Sequence, residues 1–190
     1  MSKIRIAAFF GLAILLSLGA TVQRTESKPR APKFSSLYTD LNKECKGAVK
    51  ESELNEGSDM PLKCKGYGGY YIYIYYSALA SQIAVQMQGN EDVSIGLGMQ
   101  ELNYSDQKGR KVEWRMADGK PFAVILRVSN YKGEAREATG DPFDPKYKTG
   151  ESLVVRGLKG YEKIDFTVDA KTTPNPNEKA RQMADENYGK

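Results

Sequence analysis

Seven consecutive residues, 70–76, limit the folds open to this chain more than any other segment. The run YYIYIYY contains only aromatic and β-branched residues, which favour a strand over a helix. Side chains alternate between the two faces of a strand. One face mixes aromatic and aliphatic groups: Tyr70, Ile72, Ile74 and Tyr76. The other face is all tyrosine: Tyr71, Tyr73 and Tyr75. The run therefore predicts a β-rich fold.

Further segments have the composition of strands: residues 82–87, 112–116, 122–128, 152–156 and 164–168. A turn through Ser77–Ser81 pairs the first of them with the tyrosine strand. Asp118-Gly119 suits the positive φ angles of a hairpin turn and pairs the next two. The last two are joined through residues 157–160. The pattern predicts consecutive antiparallel strands.

The single tryptophan lies on one of these strands, in the sequence VEWRM. Alternation places Trp114 with Val112 and Met116 on the face toward the core. Glu113 and Arg115 fall on the opposite face and are expected outside. A large aromatic side chain in this position is most simply a core anchor.

The remaining segments favour helices or loops. Residues 36–47 predict a short helix that Thr39 or Asp40 caps. Residues 132–150, with several Gly and Pro, predict a long surface connection. The sequence Asn-Pro-Asn-Glu, with an N-cap residue, then Pro, then an acid, predicts a C-terminal helix near residues 176–187.

These elements predict a mainly β (α+β) fold with about six to eight strands. We expect an antiparallel sheet or a partly open barrel or sandwich, with a C-terminal helix and one disulfide. At this chain length, a domain buries enough apolar surface to hold a core without a metal.

The N-terminal residues favour export. Lys3 and Arg5 precede an apolar run at residues 6–16, and small residues at Gly19 and Ala20 suit cleavage by a signal peptidase. We therefore expect a signal peptide at residues 1–20 and a periplasmic or secreted protein.

An uncleaved membrane anchor is the alternative, because the uncharged run Ile6–Val22 reaches 17 residues. Cleavage is favoured, since the run contains small and polar breaks, and we expect no stable membrane insertion after it. Residues 21–36 have the composition of a flexible linker, and residues 37–190 form the predicted β-rich domain.

Cys45 and Cys64 are the only cysteines. In an oxidising compartment, two thiols at this separation are most simply read as one intramolecular disulfide. A redox-active pair is the alternative, but the C-x-x-C spacing that lowers the pKa of such thiols is missing. We expect a structural bridge.

Composition excludes several function classes. The chain has no His, which removes Ser-His-Asp and Cys-His catalysis and His-ligated zinc. Removal of residues 1–20 leaves a net charge of +2 with mixed signs along the chain, so there is no electrostatic case for nucleic acid. We expect no cofactor, no metal and no catalytic residue.

The tyrosine face is the candidate ligand-binding site. If Tyr71, Tyr73 and Tyr75 are exposed, they form an amphipathic platform for a sugar, a peptide or another protein. If another element covers them, or if they pair across strands, they are half-buried packing with hydroxyls at the rim. From the sequence, the packing interpretation is favoured over the platform, and the platform stays open as the alternative.

Carboxylates near residue 141 are a second candidate. Asp141 and Asp144, with Glu137 and Glu151 nearby, supply oxygens for calcium or for carboxylate-dependent hydrolysis. Asp-Pro is also ordinary turn chemistry. The turn interpretation is favoured over both a metal site and a catalytic site.

Four segments carry a resemblance: CKGYGGY (64–70), EWRMADGKPFAVILR (113–127), LVVRGLKG (153–160) and NEKARQMAD (177–185). With the leading signal, they resemble uncharacterised bacterial exported proteins. The resemblance implies a periplasmic or secreted location, the Cys45–Cys64 bridge and a small β-rich domain. It carries no activity to transfer.

Taken together, these features predict an exported, non-catalytic binding module that presents its tyrosine face to a protein or glycan of the cell envelope. Two alternatives stay open: a carboxylate-dependent hydrolase acting on envelope polymers, and a structural component of an envelope assembly.

Overall fold

Alternating apolar residues build two antiparallel sheets in the computed structural model, which describes residues 30–190 apart from the side chain of Glu91. The predicted signal peptide, residues 1–20, lies outside the described residues, as do residues 21–29 of the predicted linker. Among residues 30–190, no helix is long and apolar enough to cross a membrane.

The described residues contain ten strands: β1 (Phe34–Asp40), β2 (Cys45–Gly47), β3 (Leu62–Cys64), β4 (Tyr70–Ser77), β5 (Ala80–Met87), β6 (Asn90–Glu101), β7 (Lys111–Ala117), β8 (Lys120–Tyr131), β9 (Lys148–Gly157) and β10 (Asp165–Asp169). They also contain two α-helices: α1 (Ala135–Thr139) and α2 (Pro176–Glu186). Short 3₁₀ turns occur at Glu51–Glu53 and Pro145–Tyr147.

The strands divide between two open sheets. The first sheet has the order β1-β7-β8-β9-β10, and the second has the order β2-β3-β4-β5-β6. Their inner faces share one apolar core, and α2 packs on the outer side of the first sheet against β9 and β10. The predicted mainly β fold with a C-terminal helix is confirmed, as a two-sheet sandwich.

The core between the sheets follows the predicted alternation. Its members from the two sheets include Ile72, Ile74, Ile83, Val85, Val112, Trp114, Met116, Val124 and Leu126. Trp114 is completely buried, and its indole Nε1 donates to Thr39 Oγ1 at 3.0 Å. The interpretation of Trp114 as a core anchor is confirmed.

Glu113 and Arg115 are not outside as predicted, because α2 covers their face of the first sheet. Arg181 Nε donates to Glu113 Oε1 at 2.6 Å, and Arg115 Nη2 donates to Asp185 Oδ2 at 2.6 Å. Both strand residues are less than one-tenth exposed. Their partners come from about 70 residues further along the chain. Alternation within the strand contains no information on these partners and therefore predicts exposure for two buried side chains.

Both predicted hairpins form. The β7–β8 turn contains Asp118 at φ 48° and Gly119 at φ 79°, the conformation that this dipeptide favours. The β4–β5 turn is shorter than predicted, because the strands pair up to Ser77 and Ala80.

The predicted helix at residues 36–47 is wrong. Residues up to Asp40 form β1, which pairs with β7, and the chain turns before β2. The Asp40 carboxylate accepts from Asn42 N in that turn instead of capping a helix. Because β1 begins at Phe34, residues 34–36 also belong to the sheet and not to the linker.

Two further expectations need correction. The predicted connection at residues 132–150 contains α1 and one 3₁₀ turn, and β9 begins within it at Lys148. The C-terminal helix lies where predicted, but Asn175 adopts φ 47° and its side chain makes no capping hydrogen bond.

The predicted disulfide joins Cys45 of β2 to Cys64 of β3, directly opposite each other in the ladder. The bridge fixes a three-residue edge strand to the rest of the second sheet.

Replacing Cys45 and Cys64 by Ala should lower the free energy of unfolding by about 3 kcal/mol, because the bridge closes a loop across a separation of 19 residues. Urea denaturation followed by circular dichroism measures the change. The wild-type protein with a reducing agent present should match the variant. A loss under 1 kcal/mol would show that the other contacts of β2 hold this strand in the second sheet without the bridge.

Candidate ligand-binding face

The outer face of the second sheet carries a row of tyrosines and a row of lysines. Period two in β4 turns Ile72 and Ile74 into the core, where both are fully buried. The alternate residues face outward. We call five of these outer residues the tyrosine–lysine face: Lys46, Lys63, Tyr71, Tyr73 and Tyr75.

The register of the sheet aligns these side chains across neighbouring strands. Lys46 of β2 pairs with Lys63 of β3, which pairs with Tyr73 of β4. On the other side, Tyr73 pairs with Ala84 of β5, and Ala84 pairs with Gly96 of β6. A single row therefore runs from two cations, through one aromatic ring, to two small residues.

The three outer tyrosines are half-buried, and their surroundings are open to solvent. The neighbouring outer positions Gln82 and Ser94 are exposed. Helix α2 packs on the first sheet, on the other side of the molecule. The geometry combines parts of both interpretations: the rings pack against one another and against Lys63, while Gln82 and Ser94 beside them are exposed.

Contacts within the face hold the rings in place. The Tyr73 and Tyr75 rings are nearly parallel, with centroids 6.1 Å apart. The Lys63 Nζ lies 3.8 Å from the centroid of the Tyr71 ring and 5.7 Å from that of Tyr73. The Tyr75 hydroxyl donates to Gln86 Oε1 at 3.2 Å. The face is thus partly ordered before any ligand arrives.

Small residues make a low shelf beside the rings. Ala84 lies next to Tyr73 and is buried, while Gly96 is exposed, and a Cβ added to Gly96 would meet open space. On this side, Gln86 Nε2 donates to Ser94 Oγ at 3.4 Å, which places amide and hydroxyl groups along the shelf. A ligand can therefore approach the Tyr73 ring from the side of Ala84 and Gly96 without meeting a bulky side chain.

A groove at the other side of the face is basic. It has a volume of about 610 Å³ and is lined by Lys43, Glu44, Cys45, Lys46, Lys63, Cys64, Lys65 and Tyr71. Lys65 Nζ lies 3.3 Å from Glu44 Oε1. Hydrogen bonding to Tyr67 and Glu44 raises the pKa of Lys65 above its ordinary value, so this lysine stays charged.

The second candidate set, the carboxylates near residue 141, is engaged in local structure. Asp141 Oδ1 accepts from Phe143 N at 2.8 Å, and Asp144 Oδ1 accepts from Lys146 N at 2.9 Å. These are the hydrogen bonds of turns. In the described part of the chain, no group of three or more acidic or sulfur side chains is arranged to hold a metal ion.

Glu151 belongs to an ion-pair cluster. Its carboxylate lies 3.1 Å from Arg110 Nη1 and 3.4 Å from Arg127 Nη1. Partial burial on its own would raise the pKa of Glu151, but the hydrogen bond and charge of Arg110, with Lys148 and Arg127, outweigh burial and lower it. Glu151 is therefore suited to ion pairing and poorly suited to donating a proton near neutral pH.

Sequence reasoning found the three tyrosines but missed Lys46 and Lys63. A signal for both was present. If Cys45 and Cys64 form a cross-strand bridge, antiparallel pairing places the residue after the first cysteine opposite the residue before the second.

Comparisons with family models, curated proteins and solved structures find no significant match to this chain. The chemistry of the tyrosine–lysine face is therefore the basis for assigning a function.

Proposed function

We propose that the protein is an exported, non-catalytic binding module of the cell envelope and that its tyrosine–lysine face holds an extended glycan. The observation that carries the proposal is the outward row of Tyr71, Tyr73 and Tyr75 on an open sheet face, with two rings nearly parallel. Alternate residues of a strand repeat about every 7 Å, and this regular spacing suits a polymer of repeating units.

The groups on the face match the two kinds of surface that a sugar presents. Tyrosine rings supply flat apolar area at low entropic cost, and their hydroxyls remain able to hydrogen-bond. Gln86 and Ser94 add amide and hydroxyl groups beside the rings. Sugar rings likewise combine apolar C–H faces with a rim of hydroxyls.

An extended peptide is a poorer match for this face. Peptides that add to a sheet pair their backbone with the N–H and C=O groups of an exposed edge. Here the tyrosines lie on β4, whose backbone pairs with β5 along its whole length and with β3 at residues 72–74. At Tyr73, the centre of the row, a ligand therefore meets side chains and not a free strand edge.

Two features support export. Lys3 and Arg5 with the following apolar run have the pattern of a signal peptide, and the Cys45–Cys64 bridge suits an oxidising compartment.

Replacing Tyr71, Tyr73 and Tyr75 together by Ser should weaken glycan binding by about a hundredfold, since stacking contributes roughly 1 kcal/mol per ring. The measurement is a pull-down from the native envelope with residues 21–190, analysed for glycan and protein, followed by titration of the captured material.

Two controls accompany the triple Ser variant. Replacing the same tyrosines by Phe keeps the rings and should retain most of the binding. Tyr38→Ser alters a tyrosine that is 44% exposed on β1 of the first sheet and should leave binding unchanged. Unfolding of the triple Ser variant, seen by circular dichroism, would show that the rings are core packing. Capture of a protein that ignores the tyrosines would also refute the proposal.

A further inference from the structure

The lysines of the groove are largely free of acidic partners. Four lysines and one glutamate line it, and the glutamate, Glu44, already pairs with Lys65. Within residues 30–190, Lys43, Lys46 and Lys63 make no ion pair. The Lys63 ammonium instead lies over the Tyr71 ring. The groove therefore carries positive charge that nothing within the described part of the molecule neutralises.

We infer that the ligand of the tyrosine–lysine face is an acidic polysaccharide, whose sugar rings lie on Tyr73 and Tyr75 while its carboxylates enter the lysine groove. This inference rests on the proposed function and adds the chemical class of the glycan. Its basis is charge complementarity, because cations and rings share one row of the sheet.

The distances across the sheet allow one ligand to reach both regions. Neighbouring strands lie about 5 Å apart, so Lys46 and Ala84 are separated by about 15 Å across β2, β3, β4 and β5. A short stretch of polysaccharide spans that width. Lys63 stands between the groove and the rings, and its ammonium is held 5.7 Å from the Tyr73 centroid. A carboxylate beside a stacked sugar would therefore meet Lys63 first.

The opposite edge of the sheet lacks the lysines of β2 and β3. On β6 the outer, exposed residues include Asp92, Ser94, Gly96 and Met99. The face thus changes from basic at β2 and β3 to mainly neutral at β6, with an acid at Asp92. This gradient favours a ligand whose acidic groups are directed toward the cysteine bridge.

An acidic peptide would satisfy the lysines but not the rest of the face. The shelf of Ala84 and Gly96 offers little side chain for an aliphatic or aromatic peptide anchor to pack against, because Ala84 is buried and Gly96 has no side chain. The flat rings with their amide and hydroxyl neighbours are suited to sugars.

The test is binding of the disulfide-bonded protein to four acidic polysaccharides whose only charged groups are carboxylates: alginate, polygalacturonate, hyaluronate and unsulfated chondroitin. Each is presented beside its carboxyl-reduced form, which keeps the linkages and removes the carboxylates. Polyglutamate serves as the acidic peptide. We expect at least one acidic polysaccharide to bind, its carboxyl-reduced form to bind about tenfold more weakly, and added salt to weaken the binding.

Variants assign the effect to the groove. Lys46→Gln with Lys63→Gln should weaken binding of the acidic polysaccharide about tenfold more than it weakens binding of the carboxyl-reduced form. Lys171→Gln with Lys179→Gln removes two exposed lysines beside the first sheet and is the matched control. Circular dichroism of each variant establishes that the fold is retained.

The possible failures are distinguishable. Equal binding of acidic and carboxyl-reduced polymers, still sensitive to the tyrosine variants, would overturn the acidic class and leave the proposed glycan binding intact. Tighter binding of polyglutamate than of any polysaccharide would overturn both. Binding to none of the four acidic polysaccharides would overturn the acidic class, and the envelope pull-down would then decide the proposed function independently.

Discussion

Replacing Trp114 by Ala is expected to lower the free energy of unfolding by about 3–5 kcal/mol, the range for a large aromatic side chain removed from a packed core. Trp114 is fully buried between the two sheets, and the Tyr67 ring packs edge-on against it with centroids 5.7 Å apart. The substitution opens a cavity at the point where the inner faces meet.

Two consecutive hydrogen bonds add to the loss of stability expected for Trp114→Ala. The indole Nε1 donates to Thr39 Oγ1, and Thr39 Oγ1 donates to the carbonyl oxygen of Lys65. These hydrogen bonds thus join β7 and β1 of the first sheet to the chain just after β3 of the second. Without the indole, the fully buried Thr39 hydroxyl loses a donor to its oxygen.

Far-UV circular dichroism during urea denaturation is the suitable measurement, because the variant lacks the chain's only tryptophan and its fluorescence. Trp114→Phe is the matched control. It should lower the free energy of unfolding by about half as much, since it keeps an aromatic ring but not the N–H donor. A loss below 1 kcal/mol for Trp114→Ala would contradict the packing described above.

Replacing Asp185 by Ala should lower the free energy of unfolding by about 3 kcal/mol, because it leaves the buried guanidinium of Arg115 without its main partner. The side chain of Arg115 is 7% exposed and lies 2.6 Å from the Asp185 carboxylate, while its distance to Glu113 is 4.0 Å. Glu113 is itself engaged by Arg181 and compensates Arg115 only in part.

Denaturation of Asp185→Ala, compared with Arg115→Met and with the double variant, measures the coupling between the two residues. The double variant should be more stable than Asp185→Ala, since it removes the uncompensated charge. Glu186→Ala alters an exposed acid on the same helix and should change stability by less than about 0.5 kcal/mol. Equal losses for Asp185→Ala and Glu186→Ala would show that the pair does not anchor α2.

Local pattern predicted those elements whose own residues decide their structure. The aromatic and β-branched residues of β4, the Asp118-Gly119 turn and the Pro near the start of α2 are of this kind. Strand β6 was missed because Gly96 and Gly98 have low strand propensity, although Val93, Ile95 and Leu97 alternate as in a strand.

The remaining errors concern contacts between distant parts of the chain. Residues 36–40 contain helix-capping residue types, but their pairing with β7, more than 70 residues away, decides that they form a strand. Alternation predicts that Glu113 and Arg115 are exposed, because it contains no information on α2, which covers both side chains. At the candidate site, the tyrosine row follows from period two in a single strand. The lysines join it only through the register of β2, β3 and β4.

The cysteine bridge also separates the part of the chain that is free to change length from the part that is not. Cys45 and Cys64 hold Lys46 and Lys63 opposite each other, while the chain between β2 and β3 leaves the sheet and returns through largely exposed residues. Lengthening such a loop costs little in closure entropy. In evolutionary terms, insertions and deletions can accumulate at residues 51–59 while the spacing of the two lysines stays constant.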